Sequence, residues 1–200
     1  MQNAVPNSIV LDKPGAILTG SNMSGKSTFL RTLGVNVLLA QTVCLCFAHS
    51  YKGSLFKIIT TINKEDHLPE GKSYFLMEAE AILDMIGDVG EGSPALCIID
   101  EIFRGTHSLE RIPAAIEVLL YLSGQDTINL IATHDLDVAK ACSGEYPLYH
   151  FRERMGKSGL EFDYILKKGI TTSWNAIRIL QYLGFPAQVT DGAQKRIDVD

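Results

Sequence analysis

The sequence predicts an α/β domain in which helices flank a mostly parallel central sheet. Strand-like segments rich in β-branched residues alternate with helix-like segments through most of the 200 residues. One strand-like segment, at residues 95–99, is apolar throughout, as expected for a central parallel strand that helices cover on both faces. No internal repeat or linker-like change of composition divides the chain. We therefore expect a single domain over residues 1–200.

Twelve elements are predicted. In chain order they are strand 16–19, helix 26–41, strand 55–62, helix 75–86, strand 95–99, helix 112–122, strand 128–133, helix 136–142, strands 148–152 and 160–166, and helices 173–183 and 187–196. The helix at 75–86 carries apolar residues at helical spacing and follows a polar loop at 63–72. Gly124 is expected to end the helix before it in the left-handed conformation. The apolar stretch 33–48 is predicted to be a buried helix, since it is shorter than the roughly twenty residues that span a bilayer.

Composition and charge restrict the possible functions. The chain is 46% hydrophobic and 20% charged, which excludes disorder and fibrous proteins. Its formal charge of −5 gives it no general attraction for phosphate backbones, so autonomous binding of nucleic acid is not expected. The four cysteines lack metal-ligand spacing and are predicted to be reduced and buried. No signal peptide is recognisable in residues 1–10, and we expect a cytoplasmic protein without membrane contact.

A phosphate-binding loop is predicted at residues 20–27, which read G-x-x-x-x-G-K-S between a strand and a helix. Backbone N–H groups would converge on phosphate oxygens there, Lys26 would reach the β- and γ-phosphates, and the Ser27 hydroxyl would bind Mg²⁺. The alternative is a glycine-rich turn with a surface lysine. The residues predicted to bind ATP are Gly20, Ser21, Asn22, Met23, Ser24, Gly25, Lys26, Ser27 and Thr28.

Two further motifs follow apolar strands. Asp100 and Glu101 end the strand at 95–99; Asp100 is predicted to hold Mg²⁺, and Glu101 to act as the general base toward the attacking water. His134 follows the strand at 128–133 and is predicted to sense the γ-phosphate. The alternatives are solvated loop charges for the two acids and a packing or capping role around His134, because Thr133 and Asp135 are good N-cap residues.

These motifs together resemble the MutS family of DNA mismatch-repair ATPases. The resemblance runs from about Val5 to Ala193 and rests on TGSNMSGKSTFLR at 19–31, GKSYFLME at 71–78, DEIFRGT at 100–106 and ATH at 132–134, preceded by VPNSIV at 5–10. Tyr74 replaces the usual Thr, Phe103 the usual Gly, and TIN at 61–63 the usual Arg-Ile-Gly. These departures indicate a divergent branch, in which mismatch recognition is not assured.

The resemblance implies a P-loop NTPase of the ABC-type ATPase-like fold that binds ATP and Mg²⁺ and hydrolyses ATP. It also implies a nucleotide-dependent homodimer in which Ser73 contacts the ATP of the opposing subunit; the alternative is that Ser73 only caps its own helix. The family's DNA-clamp and mismatch-reading regions lie upstream of this domain, and a helix-turn-helix often follows it, so we expect DNA contact only through other domains of a full-length protein.

Two other functions are compatible with the same motifs. One is a nucleotide-dependent dimerisation switch with little turnover, in a MutS-like protein that does not recognise mismatches. The other is a small-molecule kinase, which would require a lid; the loop at 63–72 is short and contains no arginine.

Overall fold

A computed structural model of the chain describes residues 4–11, 14–21, 23–62, 73–89, 94–104, 106–156, 159–171 and 176–197. The predicted loop 63–72 and the start of the helix predicted at 173 lie outside these residues. The described elements are β1 (Gly15–Thr19), α1 (Lys26–Val43), β2 (Lys57–Thr61), α2 (Tyr74–Asp88), β3 (Ala95–Asp100), α3 (Ser108–Ser123), β4 (Thr127–Thr133), α4 (Leu136–Ala141), β5 (Leu148–Gly156), β6 (Gly159–Lys168), α5 (Ala176–Tyr182) and α6 (Ala187–Ile197).

The described strands form one sheet in the order β2-β3-β4-β1-β5-β6. All neighbours in this order are parallel except β5 and β6, which form an antiparallel pair. The predicted α/β class with a mostly parallel sheet is therefore confirmed. Since parallel strands need long crossover connections, the helices between them are brought onto the faces of the sheet.

Successive side chains of the central strands point to opposite faces of the sheet, which divides the core into two layers. Ile17, Cys97 and Ile99 point to the layer that α2, α3 and α4 cover. Leu18 and Ile98, each one residue away along the same strands, point to the layer covered by α1. Every residue of β1 and β3 is buried, which explains why these strands are apolar almost throughout.

Helix α3 begins four residues earlier than predicted, at Ser108 instead of residue 112. His107, to which the sequence assigned no role, is its N-cap residue, and its Nδ1 atom accepts the Leu109 N–H at 3.4 Å. Pro113 therefore lies in the second turn, where it cannot donate to the Leu109 carbonyl and its ring crowds that oxygen.

The other end of α3 also differs from the prediction. Gly124 is the C-cap residue but has a right-handed backbone, with φ −83°. The Leu122 carbonyl accepts the Gln125 N–H and the Thr127 hydroxyl, so it has partners without a left-handed glycine.

The stretch 33–48 was predicted to be a buried helix, but helix α1 ends at Val43 and one face of it is exposed. Leu30 and Val37 lie in the core, whereas exposed apolar side chains continue past the end of the helix at Val43: Val35, Leu38, Val43, Leu45 and Phe47. The prediction was wrong because α1 covers the sheet with one face only. The prediction of four buried thiols is wrong for the same region, since Cys44 is exposed and Cys46 only partly buried, while Cys97 and Cys142 are buried. None of the described helices has the length and apolar character to cross a bilayer.

Candidate functional site

Three loops meet at one edge of the sheet, where the neighbouring strands β3, β4 and β1 end. Loop 20–27 follows β1, Glu101 follows β3, and His134 follows β4. The strands are in register at these ends: Thr19 lies opposite Thr133, and Asp100 opposite Ala132. The predicted candidate residues are thus assembled by the parallel order, and ligands of open α/β sheets bind at this carboxyl edge.

Loop 20–27 is closed on itself by glycines and short polar contacts. Gly20 and Gly25 have positive φ angles of 142° and 102°. A Cβ at Gly20 would lie 2.7 Å from Ser24 Oγ, closer than real side chains pack. The Ser24 N–H and hydroxyl both donate to the Ser21 carbonyl, at 3.1 and 2.8 Å. The glycines therefore serve the tight turn that the motif requires.

Lys26 is buried inside this loop, with 2% of its surface exposed. Its Nζ atom donates to the carbonyl oxygens of Gly20 and Ser21 at 2.7 and 2.9 Å. Burial lowers the pKa of Lys26, while the charges of Glu101 and Asp100 act in the opposite direction. The alternative of a glycine-rich turn with a surface lysine is wrong. A cation is enclosed where the backbone turns, at the start of α1.

The remaining predicted loop residues differ in exposure. Met23 is 73% exposed and Thr28 is exposed, whereas Ser27 is partly buried. The Ser21 hydroxyl donates to the Glu153 carboxylate of β5. Asn22 lies outside the described residues.

Asp100 ends β3 with 3% of its surface exposed. Within the described part of the chain, no hydrogen bond reaches its buried Oδ2 atom. A buried carboxylate oxygen without a donor is costly, and divalent cations such as Mg²⁺ prefer carboxylate and hydroxyl oxygens. Asp100 is therefore not a solvated loop charge, and its orphaned oxygen fits a magnesium ligand.

Glu101 has a left-handed backbone, with φ 62°, and its carboxylate lies between two cationic groups. Its Oε2 atom is 2.9 Å from Arg104 Nε and 3.1 Å from His134 Nδ1. The Arg104 Nε–H is not directed at an acceptor, so its contact is an ion pair without a hydrogen bond. Burial acts to raise the pKa of Glu101, but the His134 hydrogen bond and the charges of His134, Arg104 and Lys26 outweigh it and lower that pKa.

His134 is paired with Glu101, and the N-cap position of the following helix belongs to Asp135. About half of its side chain is exposed, and the hydrogen bond to Glu101 raises its pKa against the effect of burial. Asp135 stands at the N-cap position of α4, but its side chain makes no cap bond and pairs instead with Arg111 of α3. Thr133 Oγ1 accepts the Asp135 N–H at 3.0 Å. These contacts hold residues 133–135 in place and leave the His134 imidazole beside Glu101.

Ser73 caps its own helix, as the alternative interpretation predicted. It is the N-cap residue of α2, and its Oγ atom accepts the Leu76 N–H at 3.2 Å. Its side chain is also exposed at this position. The contact of Ser73 with an opposing subunit remains a prediction, and Gly71 and Lys72 of the same motif lie outside the described residues.

Two residues beside the site were missed in the sequence. Arg104 was quoted only as part of a motif, yet it is the ion-pair partner of Glu101. Tyr164 of β6 has a positive φ of 53°, and a Cβ added to Gly25 would lie 3.2 Å from its Cδ1 atom. The Tyr164 ring therefore lies over loop 20–27, and it stacks on Phe162 with centroids 5.8 Å apart. No local pattern indicates this, because 139 residues separate Tyr164 from Gly25.

Comparison with known proteins gives a consistent family match. Residues 16–199 match the family described as MutS domain V. The chain is 30% identical over 191 residues to the DNA mismatch repair protein MutS of Thermus thermophilus, covering 95% of this chain and 23% of the relative. It is 28% identical over 201 residues to the DNA mismatch repair protein MutS 2 of Halobacterium salinarum, covering 97% of this chain and 23% of the relative. The chain thus spans about a quarter of the length of these relatives.

Proposed function

Because the chain belongs to the MutS family through the match to domain V, we propose that it binds ATP with Mg²⁺ and hydrolyses ATP to ADP and phosphate. The observation that carries the proposal is the burial of the Lys26 ammonium inside loop 20–27, within reach of the charge of Asp100, whose Oδ2 atom has no donor among the described residues. A buried cation whose hydrogen-bond acceptors among the described residues are two loop carbonyls is suited to exchange them for phosphate oxygens, which accept stronger, charge-assisted bonds.

The binding roles follow from placement. Backbone N–H groups of loop 20–27 and the N-terminus of the 18-residue helix α1 favour an anion at this point. Asp100 and the Ser27 hydroxyl are the residues that would hold Mg²⁺, which neutralises charge on the β- and γ-phosphates when bound. The exposed ring of Tyr164 offers a face on which the base of the nucleotide can stack.

Glu101 is the proposed general base. Its carboxylate lies past the end of β3, beside Lys26 and His134, where it can accept a proton from a water directed at the γ-phosphate. His134 Nδ1 hydrogen-bonds the Oε2 atom of Glu101 and so orients the carboxylate. A raised pKa lets His134 carry the positive charge that this arrangement favours.

A switch with little turnover is the second candidate, and one observation favours it. Both Arg104 and His134 contact the Oε2 atom of Glu101, and these partners lower its pKa. A carboxylate stabilised in this way is a weaker base until one partner moves. We therefore propose that the isolated chain turns over slowly.

Phosphate release separates these two functions. In the full-length protein without substitutions, which we call the parent protein, Mg-ATP should give multiple turnovers. Glu101→Gln should keep ATP binding, and its rate of phosphate release should be lower by a factor of about 10²–10⁴. A parent protein that binds ATP without releasing phosphate beyond one equivalent supports the switch. Equal turnover of the parent and Glu101→Gln would move the base to another residue.

Assembly is proposed from the same resemblance. Two domains would face each other, each offering Ser73 to the loop 20–27 of its partner. DNA would be contacted outside this chain, which covers 23% of a relative named as a DNA mismatch repair protein. In a full-length protein, mixing Ser73→Ala subunits with Lys26→Ala subunits tests this arrangement. Mixed dimers would carry one doubly damaged and one intact site and so regain activity. No regain despite proven subunit exchange would contradict shared sites.

A further inference from the structure

Phe103 lies two residues beyond Glu101 in a backbone conformation that its side chain does not favour. Its φ angle is 56°, a left-handed value that is an outlier for a bulky residue. The side chain is nevertheless only 6% exposed. A residue keeps such a conformation only when its surroundings over-determine it. The contacts of Phe103 therefore show what holds the loop that we call the Glu101 loop, residues 101–104.

Helix α2 supplies those contacts. The Phe75 ring lies 5.5 Å from the Phe103 ring, centroid to centroid, at an interplanar angle of 59°. This distance is within the range at which aromatic pairs stabilise each other. Three residues further along α2, Glu78 Oε2 accepts the backbone N–H of Arg104 at 2.6 Å. Residues three apart share one face of a helix, so this face of α2 holds both Phe103 and its neighbour Arg104.

The other end of the Glu101 loop is tied to the sheet. The Glu101 N–H donates to the Ala132 carbonyl of β4 at 2.9 Å, and Arg104 Nη2 donates to the Asp100 carbonyl at 3.1 Å. The position of Arg104, and with it the ion pair to Glu101, therefore depends on how the loop rests against α2. Between these fixed points the loop is held by two buried side chains, Ile102 and Phe103, of which Phe103 is the one that meets the Phe75 ring.

We propose that Phe103 is a positioning residue for ATP hydrolysis: anchored on Phe75 and assisted by the Glu78–Arg104 hydrogen bond, it holds the Glu101 carboxylate in its working position. This inference rests on the proposed ATPase activity. Because Phe103 is buried in the core, it would act through the Glu101 loop and not by touching the nucleotide. Because Ser73 is the N-cap residue of α2, a displacement of this helix would also reach Glu101 through Phe75 and Phe103.

Kinetics of three variants test the proposal. Phe103→Gly tolerates the positive φ but removes the ring. Its kcat for phosphate release should fall at least about tenfold, while its Kd for ATP should change less than about twofold. The reason is that misplacing a catalytic group affects the reaction more than binding. Phe103→Leu, which keeps an apolar side chain, should restore most of kcat. Leu122→Ala is the matched control: it removes a fully buried side chain from the same core layer and should lower stability without lowering kcat.

Hydrogen exchange provides a readout that does not depend on turnover. In Phe103→Gly the Arg104 amide, which is bonded to Glu78, should exchange at least about tenfold faster, whereas the amides of β4 should be unchanged. Unchanged protection of Arg104, or a Phe103→Gly protein with the kcat of the parent, would overturn the proposal. If the parent protein binds no ATP, the proposed function fails, and the exchange experiment still decides whether Phe103 holds the loop.

Discussion

Replacing Lys26 separates the binding role of its charge from its role in folding. In the structure, Nζ donates to the Gly20 and Ser21 carbonyls, and burial lowers the pKa of Lys26. The ammonium is therefore stabilised less fully than it would be in water. Lys26→Met keeps the length and apolar stem but removes the charge, so we expect a moderate loss of stability and a large loss of ATP affinity.

The magnitude follows from counting hydrogen bonds. On binding, Nζ would exchange two carbonyl acceptors for charged phosphate oxygens, and each charge-assisted hydrogen bond contributes about 1.5–3 kcal/mol. If the exchange gains the equivalent of one such bond, the Kd should rise about 10- to 150-fold. For folding, relief of the buried charge is opposed by the loss of the donor that two loop carbonyls share, so the free energy of unfolding should fall by about 1–3 kcal/mol.

Calorimetry with Mg-ATP and thermal unfolding of the same samples measure both quantities. The result that supports the reasoning is a weakened Kd together with a cooperative unfolding transition, which shows that the variant is folded. Lys26→Met protein that binds Mg-ATP as tightly as the parent would refute the phosphate role of this side chain. If Lys26→Met binds weakly because it is unfolded, Lys26→Arg decides the question. It keeps the charge and should bind ATP better than Lys26→Met if the charge is what matters.

Three further predictions concern the rest of the site and surface. The pKa of His134 is raised in the folded protein, mainly by its hydrogen bond to Glu101. The stabilisation from this contact should therefore be complete below about pH 6.5 and be lost as the pH rises through the raised pKa. In urea unfolding, His134→Asn should be less stable than the parent at pH 6 and equally stable at pH 9. Tyr164→Ala should weaken ATP binding at least about fivefold in calorimetry if the base stacks there, while inorganic triphosphate binding stays unchanged. Finally, the chain alone should not bind duplex DNA with submicromolar affinity at physiological salt, because its formal charge is −5; tight binding with a steep salt dependence in a titration would contradict this.

Much of the sheet and the site was predictable because it depends on local patterns. β1 and β3 are apolar because both of their faces are covered, and the glycine-rich motif between β1 and α1 marks a turn that a side chain would obstruct. The parallel order then brings Asp100 and His134 to the same edge without any further information. Local spacing together with one topological rule predicts this part of the site.

Pairings between distant residues were not predictable. Arg111 and Asp135 form an ion pair between α3 and the start of α4, although Asp135 alone reads as an N-cap that bonds its own helix. Likewise, the apolar stretch that begins at Leu33 predicts burial, but only the sheet decides which face of α1 it covers. Such outcomes depend on tertiary contacts that a single sequence does not contain.

Residues with unfavourable backbone angles are concentrated at the same site as the sequence motifs. Among the described residues, four that are not glycine have positive φ: Cys44, Glu101, Phe103 and Tyr164. Cys44 is the C-cap of α1, where a left-handed residue commonly ends a helix. The other three lie in the Glu101 loop or over loop 20–27, where no helix end accounts for them. Strained backbone is retained where surrounding contacts compensate for it, most often at functional sites. Backbone geometry and sequence motifs therefore indicate one site independently, because none of these three angles enters the motif-based prediction.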